Sequence, residues 1–510
     1  MNSTDSIINQ QLTHNEPMKS ISINWISKYA IFIIILLSIV SRMPQLFSEH
    51  LILDGDECIV GLMAKHFLES KEVPFFFYGQ SYGFSFIEVL FIRVFYFFLG
   101  PTEMAVKLAM LSMWTIGVVF FYKTLKAIGF KYNVWIPLLI TLLFIFSPSF
   151  AAWSMKARGG YMTSFLLSSI VSYLLLQEKS SIKLSRAVLI GFLLVIIYQS
   201  QALWLAGLAP FIAYHLYQKK SVRYGLTMGG GILVTAIGFY MIKLGLSDFW
   251  SPKVLGWPTL SVESFISILD KMYIHFTGFY YLGDTMTPNF ITRLLSMVMM
   301  AAIFIAILVS AFFIYKKKQT NSLLPISLIS VLFSLGYILL ISWLGPRYFL
   351  PLTGFALILF SLVMDQIKRK TIVNTILGVW ILMGVYSLYD FKNFAFEDKA
   401  SLTQLVAKLE ERKISRVFCE GALLQWQINF YSNEKTIARY TSNVDRYPKY
   451  IAAVDSAQIH SPNQTGIVGY YYEGLIKPSK DFSEINKRYY ILSPVSKEFL
   501  EYRNFDLTRP

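Results

Sequence analysis

Cysteine is nearly absent from this chain: Cys58 and Cys419 are the only two in 510 residues, and they lie far apart. That excludes a disulfide framework and a cysteine-rich zinc motif, and it leaves two free thiols as the expectation. Charge is scarce as well, at 15% of residues, against about 25% in ordinary soluble domains. No internal repeat and no low-complexity tract stands out. Acid is scarcer than base, with 31 Asp and Glu against 46 Lys and Arg. The basic surplus sits in short clusters between apolar runs and lacks the interleaved aromatics of a nucleic-acid groove, so a nucleic-acid partner is excluded.

What the chain does have is apolar length. Hydrophobic residues make up 55% of the sequence and aromatics 16%, in long uninterrupted runs. This is the composition of a polytopic α-helical membrane protein. Residues 1–18 are polar and expected to be disordered. Residues 29–47 are too long for a signal-peptide core and read as a retained anchor. Lys19 and Lys28 precede that run, which places the N-terminus in the cytoplasm and the next loop outside.

The run at 84–99 breaks the pattern. Counting it as a span would put Lys123, Lys126 and Lys131 outside, against the positive-inside trend. As a helix it is about 24 Å long, short of a hydrocarbon core of about 30 Å, and Glu88 and Arg93 sit within it. It is therefore predicted to be a juxtamembrane helix. The remaining runs, 106–122, 134–152, 161–177, 187–199, 202–217, 226–244, 291–315, 323–344, 348–364 and 372–389, give about eleven spans with the anchor. Each cytoplasmic turn then carries three basic residues. After residue 390 the pattern changes to short alternating segments. Helices are predicted over 400–412 and 422–431, and strands over 414–419, 436–440 and 467–472. The expected organisation is a cytoplasmic tail at 1–28, a membrane domain at 29–389 and a small extracytoplasmic α/β domain at 390–510.

The chemistry gathers outside. Asp54-Gly55-Asp56-Glu57 puts three carboxylates into four residues beside the first span. Such a cluster costs solvation and mutual repulsion, and the usual reason to keep it is a cation or a proton to be moved. Apolar Ile59, Leu62, Met63 and Phe67 then share one helical face, with Lys65 and Glu69 away from it. The plain alternative is an N-cap, with Asp54 or Asp56 capping this helix. The segment from Pro74 to Gly83 follows, in which Tyr78, Gln80 and Tyr82 alternate with glycines. Aromatic faces and amides bind sugar rings, although an aromatic belt at the membrane interface would read the same way. In the second outer loop Lys156 and Arg158 oppose the positive-inside trend, as does Arg347 between two later span ends. They are candidates to hold an anion such as a lipid phosphate, or else to snorkel to headgroups.

These features together resemble the GT-C superfamily of integral membrane glycosyltransferases, in particular the glycosyltransferase family 39 group. The residues that carry the resemblance are Asp56-Glu57, the Gly61-Leu62-Met63-Ala64 helix and Phe77 to Gly83. Ser147-Pro148 ahead of Ala157-Arg158, and Arg347-Tyr348-Phe349-Leu350-Pro351, add to it. The resemblance implies inverting transfer from a polyprenyl-phosphate-linked sugar on the outer face, in a bacterial inner membrane, to a lipid, glycan or protein acceptor. It makes Asp56 the match to the essential first-loop aspartate. Asp56 would serve as base, with Glu57 or Asp54 orienting it or holding a divalent cation, Mg or Mn, as cofactor. Lys156, Arg158 and Arg347 would stabilise the departing phosphate. Tyr78, Gln80, Tyr82 and Glu88 would face sugar or acceptor. The departure from the family is Gly159-Gly160, where many relatives carry an acid; Asp54 and Glu88 are the candidate substitutes. The competing functions are a lipid-linked glycan polymerase or ligase, a lipid-sugar flippase, and a non-catalytic membrane scaffold.

Overall fold

The computed structural model describes residues 17–177, 183–244, 261–279, 287–318, 321–341, 344–389, 399–441, 446–472 and 481–507. The polar segment 1–16, much of the loop 245–290 and the start of the C-terminal region at 390–398 lie outside them.

The N-terminal body is helical: α1 (Pro17–Val40), α2 (Met43–Leu46), α3 (Gly55–Leu68), α4 (Phe86–Leu99), α5 (Glu103–Ile128), α6 (Ile136–Ile145), α7 (Pro148–Trp153) and α8 (Tyr161–Leu176). It continues through α9 (Leu184–Gln201), α10 (Leu203–Lys219), α11 (Val222–Leu244), α12 (Val262–Thr277), α13 (Phe290–Tyr315), α14 (Leu323–Leu339), α15 (Leu350–Gln366) and α16 (Lys370–Tyr389). Among the described residues, seven helical stretches are long and apolar enough to cross a membrane, and α6, α8 and α14 are shorter apolar helices. The chain is an integral membrane protein. Every predicted span has a helix at its place, but not every one is a full-length rod. The stretch at 134–152 is two helices, because Pro148 cannot continue α6 and forces Ser147 into extended backbone (ψ 129°). The stretch at 202–217 is α10, which carries Pro210 in its interior.

The predicted juxtamembrane segment forms α4, 14 residues long and absent from the membrane-length helices. One side of it buries Glu88, Val89, Ile92 and Tyr96, while Leu90, Val94, Phe97 and Phe98 are exposed. A one-sided apolar face on so short a helix suits the membrane interface.

The C-terminal unit contains α17 (Lys399–Glu411), α18 (Ala422–Tyr431), α19 (Pro448–His460) and α20 (Lys497–Tyr502) around a sheet of β1 (Arg416–Cys419), β2 (Ile437–Tyr440), β3 (Thr465–Tyr470), β4 (Phe482–Ile485) and β5 (Tyr489–Leu492). The strand order is β2-β1-β3-β5-β4. β2, β1 and β3 run parallel, and β5 and β4 are antiparallel. Leu402, Leu405 and Leu409 of α17 share a core with Val417, Val468 and Ile491. Both cysteines are buried, and neither is in a disulfide.

This unit is docked on the helical body through α3. A Cβ on Gly55 would come within 2.7 Å of the Leu423 backbone, and one on Gly61 within 2.7 Å of Phe430. Tyr431 Oη accepts from Leu53 N–H at 2.9 Å, and Gln427 donates to Leu53 O at 3.1 Å. The acidic turn is therefore held between two parts of the molecule.

Candidate active site at the start of α3

α3 begins with a capping box. Asp54 Oδ1 accepts from Glu57 N–H at 3.0 Å, and Glu57 Oε2 accepts from Asp54 N–H at 3.1 Å. The capping alternative thus describes two of the three acids. Their other oxygens face buried cations. Lys156 Nζ is 2.8 Å from Asp54 Oδ2, and Lys107 Nζ is 2.5 Å from Glu57 Oε1. Burial alone would raise the Asp54 pKa, but Lys156 and Arg158 beside it hold the carboxyl well below the usual range.

Asp56 is the acid left over. Its side chain is 19% exposed, against 6% for Asp54 and 1% for Glu57, so it alone of the three is open to a ligand. Arg158 places Nε at 3.0 Å and Nη2 at 2.8 Å from Asp56 Oδ2. Arg446, from the C-terminal unit, brings Nη1 to 3.5 Å from Oδ1.

The second loop is built to deliver Lys156 and Arg158. Arg42 donates to Ser154 Oγ and to Ile145 O, both at 2.8 Å, and so ties the end of α6 to the loop. Gly159 and Gly160 have φ of 58° and 87°. A Cβ at Gly160 would meet Phe84 O at 2.8 Å. An acid cannot stand there without strain, which gives the departure from the family pattern a physical reason. Glu88 takes a supporting role instead. It is fully buried, and its Oε1 accepts from Met162 N–H at 3.0 Å and Thr163 N–H at 3.3 Å, at the start of α8. Burial pushes its pKa up to about 7 against those backbone donors.

Arg347 lies on the turn Pro346–Phe349 ahead of α15. Its guanidinium sits 5.3 Å from the Tyr348 ring and 6.0 Å from the Tyr161 ring. Among the described residues it faces no carboxylate, and its buried Nε has no hydrogen-bond partner. His275 of α12 braces this corner through Thr353 Oγ1 at 3.0 Å and the Pro346 backbone. Burial holds that imidazole neutral, with its pKa down to about 3. Tyr82 is within electrostatic reach of Arg446, Tyr348, Arg347 and Asp56.

The expected site residues therefore separate. Asp56, Arg158, Arg347 and Tyr82 come together at an accessible corner. Glu57 is buried in the capping box. Lys156 is committed to Asp54 rather than to a donor phosphate. Glu88 is a buried helix cap, and Gln80 is buried in the turn whose N–H reaches Phe77 O. All four are buried. Nor do Asp54 and Asp56 fit a divalent metal, because each already holds a protein cation, and among the described residues no three His, Cys, Asp or Glu side chains are arranged to hold a metal ion. Two members escaped the sequence reading. Lys107 had a usable signal, a lysine inside an apolar helix. Arg446 had none, being one charge among many in a polar region.

Tyr78 belongs to a separate buried cluster that fastens the C-terminal unit. His66 Nδ1 is 2.7 Å from Tyr78 Oη and Nε2 is 2.9 Å from Glu434 Oε1. Tyr78 also bonds Glu72, Lys65 bonds Glu434, and Tyr450 Oη donates to Glu434 at 2.9 Å. Tyr447 stacks on Tyr78 at 4.8 Å, and Lys71 and Lys449 lie at the rim. Burial works against protonation of His66, but Glu434 and Glu72 outweigh it and raise its pKa. Glu72 is held down to about 2. A raised imidazole pKa stabilises the docked state below the ordinary value near 6.5, and that contribution is lost as pH rises through the folded value. The Glu72 contribution is present above about 4.5 and lost as pH falls toward about 2. Limited proteolysis of the C-terminal unit should accordingly be slower at pH 6 than at pH 9, and His66→Gln should flatten the difference. Equal rates in the wild type would refute the coupling.

No protein-family model matches the sequence, and no curated protein matches it. Solved structures do. ArnT from Cupriavidus metallidurans bound to undecaprenyl phosphate superposes with a TM-score of 0.60 at 12% identity, covering 96% of this chain and 99% of that one. The chain therefore shares the fold of this solved glycosyltransferase-type structure along almost its whole length. The oligosaccharyltransferase of Archaeoglobus fulgidus, in complex with Zn and sulfate, gives 0.53 at 10% identity over 86% of this chain and 68% of its own. The arabinofuranosyltransferase AftD from Mycobacteria gives 0.54 at 15% identity over 88% and 35%. At these identities the likeness is one of fold alone.

Proposed function

We propose that this chain is a membrane glycosyltransferase of the GT-C type that moves a sugar from a polyprenyl-phosphate donor to an acceptor hydroxyl at the outer face, with inversion. The observation that carries the reading is the pairing of one accessible carboxylate, Asp56, with a cationic corner that the protein does not neutralise. Three carboxylates face Lys107, Lys156, Arg158 and Arg446, and Arg347 beside Arg158 faces none among the described residues, which leaves two positive charges in a largely enclosed site. A buried excess of that size calls for an anionic ligand. A polyprenyl phosphate released by sugar transfer is a match in charge. The similarly folded ArnT, which binds undecaprenyl phosphate, supports the choice of lipid.

The chemistry follows from the positions. The acceptor oxygen attacks the anomeric carbon while its proton passes to Asp56 Oδ1, the oxygen that Arg158 leaves uncovered. The anomeric carbon–oxygen bond to phosphate breaks, and its electron pair stays on the phosphate. Arg347, with an unmatched buried donor, gains a partner as that charge develops. Arg158 holds Asp56 in place and lends its own charge.

The test is transfer from defined polyprenyl-phosphate sugars by the purified protein, read by mass spectrometry of lipid and acceptor products. Arg347→Met should cut kcat by roughly 10²–10³-fold with an unchanged melting temperature. Wild-type protein that transfers from none of these donors would end the proposal. Active wild type with an Arg347→Met variant of equal rate would remove only the phosphate assignment.

A further inference from the structure

One residue of the docked C-terminal unit reaches the reacting corner. Arg446 is placed there without help from Asp56. Its backbone presses on the turn at Gly79, where an added Cβ would lie 2.7 Å from Arg446 Cα, Cβ and Cγ, and where φ is 69°. The next residue, Tyr447, is anchored by stacking on Tyr78 and by its hydroxyl, 3.3 Å from Glu72. The guanidinium lies over the Phe77 ring at 5.1 Å.

Its tie to Asp56 is loose by comparison. A single N···O approach of 3.5 Å is beyond a normal hydrogen bond, whereas Arg158 makes two contacts at 2.8 and 3.0 Å. Among the described residues no hydrogen bond holds the Arg446 guanidinium, although its side chain is only 27% exposed. A guanidinium has five donors, and a fork of that kind matches phosphate oxygens. Arg446 and Arg347 both act on Tyr82, one from the C-terminal unit and the other from the helical body. Two incompletely satisfied guanidiniums thus lie within electrostatic reach of one tyrosine, a pairing of charge that suits a single anion.

We propose that Arg446 is a donor-phosphate ligand supplied by the C-terminal unit, so that the lipid phosphate is bound between two parts of the molecule that meet only when this unit is docked. This rests on the proposed polyprenyl-phosphate donor. Binding would draw Arg446 toward the phosphate and away from Asp56 Oδ1, the atom that receives the acceptor proton. The C-terminal unit would then be part of the active site.

The experiment uses the full chain in nanodiscs, with undecaprenyl phosphate as the probe. Arg446→Met should weaken binding by 10-fold or more, and the salt dependence of binding should become shallower. Arg446→Lys, which keeps the charge and loses the fork, should fall between. Gly79→Ala, which changes no charge but pushes the Arg446 backbone away, should weaken binding in the same direction. Melting temperature and proteolytic protection of the C-terminal unit report docking in each variant. Wild-type binding with Arg446→Met within twofold of it would overturn the proposal. So would an affinity loss confined to variants whose C-terminal unit has become protease-sensitive, since Arg446 would then be a docking residue only. Wild type that fails to bind undecaprenyl phosphate would overturn the donor reading itself, a result distinct from either of these.

Discussion

Asp56→Asn is expected to lower transfer by roughly 10²–10⁴-fold, the range that a positioned general base contributes, while leaving the protein folded. The amide keeps the size of the carboxylate and its place in the first turn of α3. What it loses is the ability to take a proton at Oδ1. Folding should survive because the capping box does not involve Asp56: Asp54 and Glu57 bond to each other, and their charges are met by Lys156 and Lys107. Arg158 loses its main partner but remains 3.9 Å from Asp54 Oδ2. Asp56→Glu should fall between, since the carboxylate returns but is displaced by one methylene. Arg158→Met should also reduce transfer, because Asp56 would lose the contacts that aim it. The measurement is the donor-transfer assay alongside the melting temperature of the purified protein. More than a tenth of wild-type activity in Asp56→Asn would rule out the base.

How much of this could be read from the sequence depended on the kind of signal. The first-loop acids were conspicuous because charge is rare in this chain, and the family resemblance singled out Asp56 among them. That two of the three form a capping box was readable as the spacing Asp54-x-x-Glu57, but spacing does not show which oxygen faces which cation. The juxtamembrane helix followed from length and charge bookkeeping. The division at Ser147 was legible in Pro148. The C-terminal unit was only partly visible. Its parallel strands alternate with helices, whereas the β4–β5 hairpin turns through Asn486 and Lys487, both at positive φ, without the glycine that usually marks such a turn. Lys107 and Arg446 reach the site from residues distant in sequence, and such meetings are made by tertiary packing. The glycines at 55, 61 and 79 show the same limit. Each reads as local freedom, but in the fold each is a place where the C-terminal unit comes too close for a side chain.

Glu57 distinguishes a catalytic acid from an acid that holds the site together, and its removal should be the most damaging change to stability. The side chain is fully buried. It accepts from Asp54 N–H at 3.1 Å and from Lys107 at 2.5 Å, and lies 3.9 Å from Lys156. Glu57→Ala leaves Lys107 in a nearly sealed position with no carboxylate. Breaking a buried pair in this way costs about 3–5 kcal/mol. The broken capping box adds to that cost without summing simply, because both effects act on the first turn of α3. A large fall in melting temperature is expected, together with loss of transfer, since a frayed first turn no longer holds Asp56 against Arg158. Activity alone would not separate this from a chemical role. The double variant Glu57→Met with Lys107→Met does, because it replaces the ion pair with apolar groups of similar volume and should recover much of the stability. If Glu57 only positions, transfer returns with the fold. If Glu57 handles a proton, the double variant is stable and inactive. A Glu57→Ala protein that melts with the wild type would show that the Lys107 pair contributes nothing to holding this turn.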